Sequence, residues 1–283
     1  MNDSTRQAPT LVLNGTGKIG RRVVERLTAR GLPVRIGSRS GEPRFDWEDR
    51  STWGPVLDGV GSAYVSHHFD AIPGAAETLG SFAELAVERG VPRLVLSSGR
   101  GEREVKRAER AVRDSGAELT VLHSTWFAQN FSEDYWQEMV ESNEVALPAA
   151  DTPEPFVDAD DIADVAVAAL TDDRHIGEVY ELTGPRLLTF AEAVLEISRA
   201  VGREVRYVPI SIEDFGAAAG EQGVPSDLVE MLTYLFSEVL DGRNAHLADG
   251  VQRALGREPR DFSDYARDTA ATGIWNPTAP RAA

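Results

Sequence analysis

The sequence predicts an α/β protein built on a doubly wound parallel sheet, with a smaller α/β lobe towards the C-terminus. Three observations carry that expectation. Short apolar runs alternate with helical patterns of roughly 10 to 15 residues through the first half of the chain. A glycine-rich turn, Gly15-Thr16-Gly17-Lys18-Ile19-Gly20, separates the first apolar run from the first helical pattern. Single glycines at positions 31, 90 and 116 then close successive helical patterns.

Taken in order, residues 10–13 read as a buried strand bounded by Asn14 and Gly15. Ile19, Val23, Val24 and Leu27 follow at helical spacing, up to Gly31. Residues 34–36 make a second strand that ends in Gly37-Ser38-Arg39-Ser40-Gly41, and Phe45 closes an expected third short strand ahead of Asp46. A helix over 49–57 leads to a fourth strand, 62–66. Leu79, Phe82, Ala83 and Ala86 share one face of a helix over 75–89. Residues 93–96 make a fifth strand running into Ser97-Ser98-Gly99. A charged helix over 102–115 and a sixth strand over 119–122 complete the half. Right-handed crossovers between such strands make the sheet doubly wound.

The second half is less regular. Residues 126–141 are aromatic-rich and partly helical. Phe156-Val157-Asp158 precedes an alanine-rich helix over 160–170, for which Asp160 or Asp161 can serve as N-cap. Residues 179–182 make a seventh strand, Thr189 caps a helix over 190–201, and 205–209 is a further strand. Over 224–240, Leu228, Met231, Leu232, Leu235 and Val239 form one amphipathic stripe. The expected division is a sheet domain of 8–125 plus 156–184, a smaller lobe of 126–155 plus 185–276, and a disordered tail, 277–283.

Composition narrows the function classes. The 283 residues are 42% hydrophobic, enough for a large α/β core with an appendage. No apolar run approaches the ~18 residues of a membrane span. The polar start, Met1-Asn2-Asp3-Ser4-Thr5, lacks a secretory pattern, so a soluble cytoplasmic protein, monomer or homodimer, is expected. Zero cysteines exclude disulfides, thiolate nucleophiles and cysteine metal sites. A net charge of −17 argues against a nucleic-acid surface and requires any anionic cofactor to be held by local groups. Lys18 and Lys106 are the only lysines, and this arginine- and alanine-rich usage suggests a GC-rich bacterial source.

The glycine turn has the context its chemistry needs, a strand before it and a helix after it. Gly15 permits the tight turn, Gly17 removes a side chain where a pyrophosphate would approach, and Gly20 lets helix and strand pack closely. The helix N-terminus offers N–H groups and partial positive charge to the phosphates. Residues 15–20 therefore read as the dinucleotide anchor of a Rossmann domain, against the plainer reading of a turn that binds nothing. The second strand ends in Ser38 and Arg39, with Arg44 nearby, where an acidic residue would bind ribose hydroxyls. A guanidinium there can pair with a 2′-phosphate and stack on adenine, so NADP(H) is preferred over NAD(H). The plainer reading of Arg39 is a solvated loop residue.

Hydride transfer asks the protein mainly to place the nicotinamide against an acceptor and exclude water. Candidate proton donors are His123, Lys106, and His67 or His68. His123 ends the sixth strand, at the carboxyl edge where open α/β sheets bind ligands, and it also fits a half-buried, hydrogen-bonded residue. Trp126, Phe127, Phe131, Tyr135 and Trp136 can wall a flat apolar pocket or fill the core of the lobe. Asp158, Asp160 and Asp161 look like a metal cluster, but capping and tethering ahead of a helix explains them, and no metal is expected. No nucleophile elbow supports hydrolysis.

These features together resemble the NmrA-like branch of the atypical short-chain dehydrogenase/reductase superfamily. The resemblance rests on the glycine turn, Arg39, Asp46, Ser97-Ser98, the segment 109–116, and two more particular blocks, Trp126-Phe127-Ala128-Gln129-Asn130-Phe131 and residues 156–163. It spans about residues 10–270, including a late stretch at 255–262. It implies that Asp46 lies near adenine and that Ser66, His67 and His68 lie beside the ribose and nicotinamide. Ser97 and Ser98 would lie near the nicotinamide, where related enzymes often carry the catalytic serine, and Asn130 would anchor backbone near the cofactor. One departure is clear. The stretch 101–113 holds no tyrosine, so Lys106 lacks the Tyr-x-x-x-Lys partner of standard members. The resemblance implies an NADPH-dependent reductase of a quinone-like or other small aromatic or conjugated substrate, in bacterial secondary metabolism. The alternative is a non-catalytic redox sensor that binds NADP(H).

Overall fold

The computed structural model describes residues 8–67, 74–101, 103–149 and 151–277. Among them eight strands form: β1 (Thr10–Leu13), β2 (Val34–Gly37), β3 (Ser62–Ser66), β4 (Arg93–Gly99), β5 (Glu118–Ser124), β6 (Glu144–Leu147), β7 (Val179–Leu182) and β8 (Arg206–Pro209). Six of them make one parallel sheet in the order β2-β1-β3-β4-β5-β7. The reversal of direction between β1 and β3 is the switch point of a doubly wound, Rossmann-type sheet. β6 and β8 pair in parallel in a second, two-stranded sheet.

The helices are α1 (Lys18–Ala29), α2 (Trp53–Leu57), α3 (Ala75–Glu88), α4 (Arg103–Asp114), α5 (Asn130–Glu133), α6 (Trp136–Glu141), α7 (Ala159–Thr171), α8 (Phe190–Val201), α9 (Ile212–Glu221), α10 (Ser226–Tyr234), α11 (Gly250–Leu255) and α12 (Phe262–Ala271). None among the described residues is long and apolar enough to cross a membrane.

The chain forms two compact units. One holds the described residues through Ser124 with Ala159–Leu182 and Asp249–Glu258; the other holds Thr125–Asp158, Thr183–Ala248 and the described residues from Pro259. In the first unit α1 pairs with α7 and α3 with α4, covering the two faces of the sheet. Every residue of β1 is buried, as a parallel strand covered on both faces requires. On the α3 side Leu11, Leu13, Leu94 and Leu96 pack with Trp53, Leu79 and Phe82, each apolar side chain contributing about 1.5–3 kcal/mol.

The third strand expected at Phe45 does not form. The Phe45 amide donates to Ser38 O at 2.9 Å, and its ring packs edge-on against Trp47 and Phe82. A single aromatic flanked by Pro43 and charged residues anchors a loop; it has no alternating partners with which to extend a sheet. The N-cap expected at Asp160 or Asp161 is also displaced, because α7 begins at Ala159 and puts both carboxylates in its first turn. By contrast Thr189 caps α8 in a complete capping box with Glu192.

In the second unit, Phe131, Phe156, Phe190 and Phe262 form the core with Trp136 and Trp275. The Trp275 indole N–H donates to Phe131 O at 2.7 Å, satisfying a polar group that burial would otherwise penalise. The 224–240 stripe divides into α10 and a π-helical turn, Leu235–Val239. Helix α11, expected in the smaller lobe, belongs to the sheet unit. Gly250 lies so close to β7 that a Cβ there would stand 2.2 Å from Glu181 O. Arg253 places its guanidinium over the Tyr180 ring and on the Glu178 carboxylate at 2.5 Å.

Candidate active site

The carboxyl end of β1 turns through Asn14, which takes the left-handed conformation at φ 53°; none of the three motif glycines has positive φ. Asn14 donates to Gly37 O at 3.0 Å, and Gly17 donates back to Asn14 O at 2.9 Å. The glycines are needed for space. A Cβ on Gly20 would stand 2.1 Å from Asn14 O, and one on Gly15 would meet Val12 O at 3.0 Å. At Gly17 it would meet the Asn14 side-chain amide at 2.7 Å, so part of the space expected for a pyrophosphate is already bordered by that amide. Gly17 is the N-cap of α1 and has no side chain with which to cap it. Thr16 is exposed, Lys18 half-buried and Ile19 buried in the core. The residues fit a dinucleotide: a helix start whose N-cap is a glycine, on a turn held open by glycines.

At the end of β2, Ser38 is half-buried and Arg39 exposed, and Arg39 makes no ion pair among the described residues. Arg44 is committed to Asp46 at 2.5 Å. Asp46 is otherwise engaged within its own loop. Its Oδ1 accepts from the Glu48 amide at 3.2 Å and its carbonyl from the Trp53 indole at 2.9 Å. Asp46 therefore shapes the loop after β2.

Ser66 and Ser97 are register partners at the carboxyl ends of β3 and β4, and Ser98 pairs with His123 between β4 and β5. Successive strand residues face opposite ways, so Ser97 and Ser98 serve different faces. On one face the fully buried Tyr64 hydroxyl lies beside Ser66 and Ser97 without a well-formed hydrogen bond, and burial pushes its pKa up to about 12. On the other face Ser98 Oγ donates to Glu109 Oε1 at 3.0 Å, and His123 Nε2 meets the same oxygen at 2.6 Å. His67 packs its ring against Trp47, centroids 4.9 Å apart. His68 lies outside the described residues.

The structure thus joins Ser98 and His123 through Glu109, a residue whose role the pattern alone did not suggest. Its signal was present, since Glu109 falls on the buried stripe of α4 with Val105, Ala108 and Val112. Lys106 sits on the exposed side of the same helix, apart from that cluster.

Within the second unit, Phe131 is fully buried among Trp136, Phe156, Phe190 and Phe262, so its ring belongs to the core. Trp126 is half-buried, stacked on Trp136 and on Phe236 at 5.5 and 5.0 Å. The two particular sequence blocks are one structural piece. Ala128 donates to Val157 O and Val157 to Trp126 O, which pairs Phe127 with Val157. Gln129 Nε2 donates to the buried Asp158 at 2.6 Å, and Arg260 adds an ion pair at 2.9 Å. Asn130 starts α5, its amide donating to Phe127 O.

In the first unit Asp160 pairs with Arg22 and Arg26, and Asp161 with Arg257. Each of the three aspartates that suggest a metal cluster has a guanidinium partner, and no metal-ligand group occurs among the described residues.

The NmrA-like family profile matches residues 103–266. The chain is 32% identical to the oxidoreductase YesF of Bacillus subtilis over 95% of this chain and 99% of that one. It is 30% identical to the NAD(P)H azoreductase of Xenophilus azovorans over 92% and 98% of the two chains. The triphenylmethane reductase of Citrobacter sp., solved with NADP(H), superposes with a TM-score of 0.74 at 18% identity, covering 93% of this chain and 99% of that one. NmrA, a negative transcriptional regulator solved with NAD, superposes at 0.67 with 18% identity, covering 96% and 99%.

Proposed function

Because the chain belongs to the NmrA-like family, we propose that it is an NAD(P)H-dependent reductase that delivers hydride to a quinone-like or other conjugated small molecule. The observation that carries the reading is the glycine N-cap of α1 on a turn where a Cβ at Gly20 would strike Asn14 O. The dinucleotide, when bound, supplies the hydride. The chain supplies the rest. Main-chain N–H groups in the first turn of α1, after Gly17, receive the pyrophosphate. Exposed Arg39 receives the 2′-phosphate as a fork, which supports NADP(H) over NAD(H). Ser66 and Ser97, at the carboxyl edge of adjacent strands, offer hydroxyls to the ribose and nicotinamide end.

The Ser98–Glu109–His123 cluster ties β4 and β5 to α4 and acts as a positioning group. With its Nε2 held on Glu109, His123 fixes the strand ends and is not required as an acid. An extended conjugated acceptor can take hydride first and its proton from water afterwards, which suits a site without a tyrosine acid. The test is single-turnover oxidation of protein-bound NADPH against a panel of quinones and azo dyes. Acceleration well above the protein-free rate is expected; no acceleration by any acceptor would sink the proposal.

A second reading is a dinucleotide sensor without turnover. It is favoured by α4, which has no tyrosine and turns Lys106 to solvent. Partner capture that depends on NADPH, with no acceptor reduction, supports it.

A further inference from the structure

The second unit contains a cavity of about 230 Å³. Trp136, Met139, Ile210, Phe215, Val224 and Leu232 form its apolar wall, and Ala146, Ala218 and Ala219 leave the space open. The sequence explains the void. A bulky side chain at any of the three alanines would occupy it, whereas the surrounding wall is already fixed by aromatic packing. Trp136 is stacked on Trp126, and Phe215 meets Phe236 edge-on at 5.4 Å, so both walls are held from behind and the cavity is preformed. Its polar groups are carried by exposed residues at the rim, Tyr135, Ser142, Glu144 and Gln222.

We infer that this cavity is a binding site for a neutral, flat aromatic molecule of about two fused rings with a hydrogen-bonding substituent at the rim. Size sets the class. An apolar cavity of ~150 Å³ takes benzene, and this one is half as large again. Charge refines it. Among the described lining residues Glu144 is the one carboxylate and none is basic; the neighbouring Arg206 is already held on Glu144 Oε2 at 2.7 Å, and the chain's net charge of −17 adds to the penalty on an anion. A phenolic or amide substituent can donate to Glu144 Oε1 or to the Gln222 side-chain oxygen, while a carboxylate meets beside Glu144 a guanidinium that this side chain already holds. None of the residues proposed to hold the dinucleotide lines the cavity, and neither do Phe127, Asn130 and Phe131. The site therefore goes beyond the reductase reading and stands whether or not the chain turns over NADPH.

The experiment is calorimetric titration of the intact chain with 2-naphthol and with 2-naphthoate, with tryptophan fluorescence followed in parallel. Saturable 1:1 binding of 2-naphthol with quenching is expected, with 2-naphthoate at least about tenfold weaker. Ala218→Phe plugs the cavity from an exposed position that the fold does not need, and should weaken 2-naphthol by about tenfold or more. Met139→Ala, which widens the cavity, should instead accept larger ring systems. NADPH affinity of Ala218→Phe should equal that of the unaltered chain, which separates this site from the cofactor reading. No 2-naphthol binding at millimolar concentration, equal binding of the two probes, or binding indifferent to Ala218→Phe would each overturn the assignment.

Discussion

His123 and Glu109 meet at 2.6 Å, Nε2 to Oε1, and the same carboxylate oxygen also takes the Ser98 hydroxyl. A carboxylate this deeply placed is tolerated because both neighbours donate to it. Glu109→Ala removes the shared acceptor and leaves two donors stranded. It should lower unfolding free energy by about 1–3 kcal/mol in urea titrations. Ser98→Ala should cost less, about 1 kcal/mol, because His123 remains on the carboxylate. If the cluster only positions strands, NADPH binding to Ser98→Ala stays within about twofold of the unaltered protein.

Gly17 and Gly20 should fail in different ways. A Cβ at Gly20 runs into the Asn14 backbone, which cannot move without shifting β1 or α1. Gly20→Ala should therefore destabilise the fold by about 1–3 kcal/mol as an overpacked core does. The three atoms nearest a Cβ at Gly17 all belong to the Asn14 side chain, which can rotate away. Gly17→Ala should keep most of the stability and lose NADPH affinity by about tenfold, read by calorimetry.

Arg39 is exposed and reserved by no partner among the described residues, whereas Arg44 is held by Asp46. Arg39→Ala should weaken NADPH about tenfold and leave NADH nearly unchanged. Arg44→Ala should alter the ratio of the two affinities far less. Equal losses for both nucleotides in Arg39→Ala would remove the 2′-phosphate role.

His175 is buried, its Nδ1 on the Tyr180 hydroxyl at 2.8 Å, while Arg174 Nε donates to its Nε2 at 3.2 Å. Burial first, and the Arg174 charge second, depress its pKa below the ordinary 6.5. A histidine held neutral in the fold contributes stability above pH 6.5, lost as pH falls through its depressed value. Stability should therefore decline below pH 6.5 with an extra slope of at most about 1.4 kcal/mol per pH unit. In His175→Gln that part of the slope should vanish. Asp261, whose pKa Arg186 holds far below 3.8, contributes its own loss only in stronger acid, so the two windows separate.

The sheet was legible because its signals are local: a period, a glycine, a strand end. The glycine turn was legible for the same reason, although the left-handed residue proved to be Asn14. What pattern reading missed depends on distant partners. Asp158 finds Arg260, and Asp161 finds Arg257, across about a hundred residues of chain, so three aspartates that suggest metal are each paired with arginine. Glu109 was hidden for a different reason. Its partners come from two neighbouring strands, and only their register sets Ser98 against His123. Phe131 read equally well as wall or core, because periodicity fixes a face but not what covers it.

Each compact unit is assembled from three separate stretches of chain. During synthesis, the first 124 residues emerge with five of the six sheet strands, yet β7 must wait for Val179–Leu182 and its covering helix for Gly250–Leu255. A nascent chain thus carries an open β5 edge for more than 50 residues of translation, an interval in which the edge is available to other strands. For the same reason neither unit corresponds to an uninterrupted gene fragment, and exchanging one between homologues calls for transplanting interleaved segments rather than a single cassette.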